Sequence, residues 1–279
     1  MTTSSEKAVR ELLAFYREAG VDSPVGETPV DRFADPPSVA PAQPPAARAP
    51  TQASPVQASL LPPDRTIAPK TAATTPEAAV MAAREAATNA ASLDDLRAIL
   101  EGFEGCGLRK TATRLCFARG NPQARIMFIG EAPGYEEDKA GLPFVGKSGR
   151  LLDLMIGAIG LDENSVYIAN IVPWRPPGNR TPTPQESAIC LPFLLRQIEL
   201  ADPDVLVCLG NPSAQAVLGL REGITRTRGR WFKFDTGTRE INAMPTYHPA
   251  FLLRSPLQKR FSWRDFLAIK RALAQQATG

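Results

Sequence analysis

The pattern of hydrophobic and polar positions changes character twice along the chain. In "SSEKAVRELLAFYREAG" Val9, Leu12, Leu13 and Tyr16 fall at helical spacing behind a serine cap, which predicts a short amphipathic helix. From there to about position 90 no period holds, and runs such as "DPPSVAPAQPPAARAP" dominate. Beyond it the apolar residues regroup. "SLDDLRAILEGF" predicts a helix capped by Ser92, and four continuous apolar runs follow: "RIMFIG" (125–130), "SVYIANIV" (165–172), "DVLVCLG" (204–210) and "INAMPTY" (241–247). Helical segments such as "KSGRLLDLMIGAIG" and "TPQESAICLPFLLRQIEL" lie between them. Continuous apolar strands alternating with helices predict an α/β fold, a three-layer α/β/α sandwich around a four-stranded parallel sheet.

Composition sharpens the division. Residues 1–90 hold 13 of the 27 prolines and only three aromatics, too little apolar surface to offset chain entropy, so they are expected to be a mostly disordered tail. Residues 91–279 are expected to form one folded domain, acting as a monomer. Charge divides the same way, with 8 basic and 10 acidic residues before position 91 against 24 and 19 after it. The basic excess clusters in "LREGITRTRGRWFK" and "LLRSPLQKRFSWRDFLAIKR", which suits a polyanion better than a membrane. No apolar stretch approaches the ~18 residues of a membrane span and no charged-then-apolar leader opens the chain, so a cytosolic place is expected. The four cysteines, Cys106, Cys116, Cys190 and Cys208, contain no C-x-x-C pair, and disulfides are not expected in a reducing compartment.

Parallel sheets hold ligands beyond the carboxyl ends of their strands. The first run leads into "GEAPGYEEDKAGLPFVG", where Glu131, Glu136, Glu137 and Asp138 occupy the place of a phosphate-cradling loop, although carboxylates repel phosphate. Phe144 follows in the same segment. The second run ends near Asn170 and enters "PWRPPGNRTPTP", the third ends at Gly210-Asn211-Pro212-Ser213, and the fourth leads to His248, the single histidine of the chain. A carboxylate, an aromatic ring, an amide and an imidazole brought together by topology are the parts needed to stack a planar base, read its edge and attack its sugar.

The stretches "GNPQARIMFIGEAPGYEEDKAGLPFVGKSGRLLD", "VYIANIVPWRPPGNRTPTPQE", "RQIEL", "ITRTRGRW" and "YHPAFLLR" resemble the uracil-DNA glycosylases, most of all the family 4 enzymes that carry an iron–sulfur cluster. The resemblance covers about residues 95–271. It implies an enzyme that removes uracil from DNA and leaves an abasic site. In it Phe144 stacks on the extruded uracil, Gly130 borders the base, and the Asn170 amide pairs with N3–H and O4. Glu137 lies near C5 against a thymine methyl, His248 donates to O2, and Glu131 orients water or stabilises the cationic sugar. Arg226, Arg228, Arg230 and Arg254 are expected to meet DNA phosphates. A non-catalytic sensor of uracil-containing or single-stranded DNA is the alternative. A branch that stays covalently attached through a histidine after the second strand is disfavoured, because "WRPPGNRTPTP" has none.

The chain departs from the resemblance at the cluster. The positions of its four cysteine ligands hold Phe103, Cys106, Trp174 and Cys190, and two aromatic rings offer no lone pair to iron. The expectation is an enzyme without metal, with Phe103 and Trp174 filling the cluster's place and Cys116 and Cys208 not recruited. In the tail, "QASLLPP" from Gln57 through Leu61 to Pro63 resembles the short peptides that dock repair proteins onto the sliding clamp, a candidate partner contact.

Overall fold

A computed structural model describes residues 75–275. The opening helix around Val9–Tyr16 and the Gln57–Leu61 motif lie outside the described residues. The helices are α1 (Pro76–Thr88), α2 (Leu93–Gly102), α3 (Tyr135–Ala140), α4 (Lys147–Ala158), α5 (Pro184–Ala201), α6 (Asn211–Leu218), α7 (Ile224–Thr227), α8 (Pro249–Arg254) and α9 (Lys259–Gln275). The strands are β1 (Arg119–Gly120), β2 (Ile126–Gly130), β3 (Tyr167–Asn170), β4 (Val205–Leu209), β5 (Phe232–Asp235) and β6 (Glu240–Thr246).

The strands form one sheet in the order β1-β3-β2-β4-β6-β5. The four expected runs are its parallel centre, β3-β2-β4-β6. The expectation of a four-stranded, wholly parallel sheet is corrected at the edges, where β1 pairs antiparallel with β3 and β5 antiparallel with β6. Both edge strands lack the continuous apolar signature because each is covered less than the centre: β5 alternates partly buried and exposed residues.

Alternation along the central strands builds the layers. Met127, Ile129, Ala169, Leu206 and Cys208 join one core with α1, α2, α5 and α6. Phe128, Ile168, Val205, Val207 and Leu209 join the other, with α4 and α9. The packed part of the chain starts before position 91. Thr75 caps α1, Pro76 sits at its first turn, and Ala79, Ala83 and Ala87 are buried along one stripe, where their small side chains allow close packing on α5. After β2 the chain steps outward to β3 and then returns past β2 to β4. The strand order reverses there, and a crevice opens beyond the carboxyl end of β2.

Candidate active site

The crevice encloses about 210 Å³ and is lined by Glu131, Glu137, Phe144, Asn170 and His248. That is below the roughly 300 Å³ at which pockets for drug-sized ligands begin, and suits a single planar ring. Glu131 follows directly on β2, and Asn170 is the last residue of β3. The pairing continues past both strands, Ile171 N donating to Gly130 O and Val172 N to Glu131 O, so the two side chains leave a rigid edge.

Phe144 sits between α3 and α4 with φ 55°, a left-handed conformation costly for a bulky side chain and found where the surrounding structure enforces it. Gly149 leaves the room: a Cβ there would run into the Phe144 backbone. The ring forms a wall of the crevice and lies 5.5 Å from the His248 ring, centroid to centroid, with 33° between planes. Gly130 matters for the same volume. A Cβ on it would overlap Asn170 Oδ1 and come within 2.6 Å of the Phe144 ring.

Two oxygens in this crevice are buried without any partner, Asn170 Oδ1 and Glu131 Oε1. Buried acceptors are rarely left unmet, and each costs about 1–3 kcal/mol until something donates to it. Burial also raises the Glu131 carboxyl above its ordinary 4.5.

His248 caps α8. Its Nδ1 accepts the Ala250 N–H at 3.1 Å, so in the neutral ring the proton is carried on Nε2. Burial first, and the nearby Arg254 cation second, push its pKa down to about 4, against a smaller opposing pull from Glu137. The imidazole is therefore neutral at physiological pH.

Glu137 is placed at the crevice but both its oxygens are occupied. Oε1 accepts from Val145 N at 3.1 Å and Gly146 N at 2.9 Å, and Oε2 from Gly134 N at 3.1 Å. It clamps the segment that carries Phe144. Of the four arginines, Arg226, Arg230 and Arg254 are exposed. Arg228 differs: its side chain is only 15% exposed and is held by Asp265 and by Phe261 O, because Asp265 is buried and needs a cation beside it. The sequence reading missed Ser148, Asn179, Thr181 and Pro182, which also line the crevice. Ser148 is legible as the first turn of the helix after Phe144, whereas the return of the 177–182 loop over the crevice has no local signal.

The donor set does not fit a four-thiolate cluster. Cys106 and Cys190 face each other with Sγ atoms 3.9 Å apart, both 1% exposed. Trp174 is buried, and the Phe103 ring lies edge-on to Phe193 at 4.9 Å. Cys116 donates to Glu137 O and Cys208 sits inside β4, with burial pushing both thiols up to about 12. Among the described residues no group of three or more His, Cys, Asp or Glu side chains could hold a metal.

A parallel sheet with a base-sized crevice at its switch point, walled by an aromatic ring and carrying an unmet amide oxygen, an unmet carboxylate and a neutral imidazole, defines a nucleobase-directed site. Residues 117–269 match the Uracil DNA glycosylase superfamily, and the chain belongs to that family. Within it the chain is similar to the type-4 uracil-DNA glycosylase of Archaeoglobus fulgidus, 40% identical over 182 residues that cover 64% of this chain and 92% of the relative. It is 45% identical over 151 residues to the type-4 uracil-DNA glycosylase of Thermotoga maritima, covering 54% and 77%. A type-5 uracil-DNA glycosylase of Thermus thermophilus is 32% identical over 121 residues, covering 37% and 55%.

Proposed function

We propose that this chain is a monofunctional uracil-DNA glycosylase that takes an extruded uracil into the crevice and hydrolyses its bond to the sugar. The observation that carries the reading is the pair of buried, partnerless oxygens of Asn170 and Glu131 in a space sized for one ring. Uracil supplies what Asn170 lacks, and the attacking water what Glu131 lacks. The uracil N3–H donates to Asn170 Oδ1 while the amide N–H₂ donates to O4, a pattern that cytosine, with an acceptor at N3 and a donor at C4, does not match.

Phe144 stacks on the ring, and Gly130 leaves the space for it. As the glycosidic bond breaks, its electron pair leaves with the base, and Nε2–H of neutral His248 donates to O2 where the negative charge collects. Water attacks C1′ of the sugar, oriented by the Glu131 carboxylate, which also faces the positive charge developing there; the water's proton passes to that carboxylate or to solvent. Glu137 contributes by holding the Phe144 segment in place. Arg226, Arg230 and Arg254 meet phosphates. No step needs a metal, and Phe103 and Trp174 occupy the volume that the resemblance assigns to a cluster. Stoichiometric iron and sulfide in protein purified without oxygen would contradict that part. Among the described residues no helix is long and apolar enough to cross a membrane.

The test is a labelled oligonucleotide with one uracil, incubated with the protein and cleaved by alkali. The reading predicts a break at uracil and none at thymine or cytosine in the same context; an intact uracil strand would refute it.

A further inference from the structure

α4 and α9 lie on the same face of the sheet and leave a recess of about 190 Å³ between them. Met155 and the fully buried Phe266 line its floor, while Leu154, 72% exposed, and Trp263, 45% exposed, stand at its rim. Large apolar side chains left side by side in water mark interaction surfaces more than isolated ones do. Ser262 also lines the recess. It is 1% exposed, yet its Oγ has no hydrogen-bond partner, not even the carbonyl one turn back that a helical serine usually finds.

The exposed charges of α9 are of one sign. α9 exposes Lys259, Arg260, Arg264, Lys270 and Arg271, none of which has a carboxylate partner among the described residues. Its single acid, Asp265, turns inward to Arg228 and Thr246. Lys259 lines the recess, and the Lys270 ammonium stands beside Gly160, two residues past the end of α4.

We propose that this recess docks an acidic peptide segment of a partner protein, seating one bulky apolar side chain between Leu154 and Trp263. The segment's carboxylates meet Lys259 and Lys270. A phosphodiester strand would satisfy the lysines but leave the apolar recess unfilled. On α4 the recess is lined by Leu151, Leu154, Met155 and Ala158, none of which lines the crevice that takes the base.

The probe is a fluorescein-labelled peptide, Glu-Asp-Glu-Leu-Phe-Glu-Asp-Glu, titrated with the full chain and followed by anisotropy. Saturable binding is expected, weakened ~10-fold or more by Leu154→Glu or Trp263→Ala and lost when Gly-Gly replaces Leu-Phe. Both variants should excise uracil from a short oligonucleotide and bind duplex DNA as the parent does. Leu154 is exposed, so its variant keeps the test decisive if Trp263→Ala misfolds. No binding at ~1 mM peptide, or equal binding of the Gly-Gly peptide, overturns the proposal. A Leu154→Glu variant that loses DNA affinity as much as peptide affinity assigns the recess to nucleic acid and also overturns it. So does a concentration-dependent dimer, seen by sedimentation, that this variant abolishes, because the occupant is then a second copy.

Discussion

At the residue scale the chemistry rests on protonation states that burial sets. With its pKa near 4 and Nδ1 accepting from Ala250, His248 stays neutral across the working range and offers Nε2–H. Glu131 is displaced the other way, above 4.5, so it takes up a proton before His248 as pH falls. The acid limb of the single-turnover rate therefore belongs to Glu131: the rate drops on the acid side at a pH above 4.5 and loses that limb in Glu131→Gln. A limb centred near 6.5 that vanishes in His248 variants would assign it to an ordinary exposed histidine instead. The same burial affects stability. An unfolded His248 binds a proton below about 6.5 and the folded one does so only near 4, so folding loses stability as pH falls between those values. Gly130→Ala puts a methyl against Asn170 Oδ1 and the Phe144 ring, both fixed in place. We expect excision to fall ~10²-fold or more with the fold intact by circular dichroism, the loss coming from a ring displaced by about an ångström; unimpaired excision would show that uracil does not occupy that space.

At the element scale, what was legible follows from how completely each element is buried. The central strands announce themselves because both faces are covered and every position is apolar, and their ends brought Glu131, Asn170 and His248 into one crevice. β1 and β5 escaped because two residues carry no period and an edge strand with one open side admits Lys233 and Asp235. α1 escaped because its buried stripe is alanine, which adds little hydrophobicity to a stretch that follows a proline-rich tail, although Thr75 and Pro76 mark its start. The pairing of Arg228 could not be judged from the chain, since Asp265 lies 37 residues away. Cys106, Trp174 and Cys190 are buried in one core, and Phe103 packs against it. Trp174→Ala should cost about 3–5 kcal/mol in denaturant unfolding, as emptying a large aromatic site does. A loss below about 1 kcal/mol would mean that the indole is not what holds this core together.

At the scale of the whole molecule, the crevice is small and the DNA is long, so affinity must come largely from phosphate contacts around it. Arg226, Arg230 and Arg254 are exposed, Arg230 in an exposed pair with Glu222, while Arg228 is held by the buried Asp265. Replacing any one of the three by Ala should weaken binding of uracil-containing and uracil-free DNA alike and reduce the slope of log affinity against log salt by about 1. An unchanged slope in all three would move the DNA path elsewhere on the surface.

The proposed chemistry takes place in the crevice, on a base that Asn170 reads and His248 helps to release. The most direct test is single-turnover excision from a uracil oligonucleotide by Asn170→Ala and His248→Ala, with DNA affinity measured alongside. Each variant is predicted to lose ~10²-fold or more in rate while its affinity for the DNA stays near that of the parent. Near-parental excision by either one would contradict the role given to that residue, and by both would contradict the site.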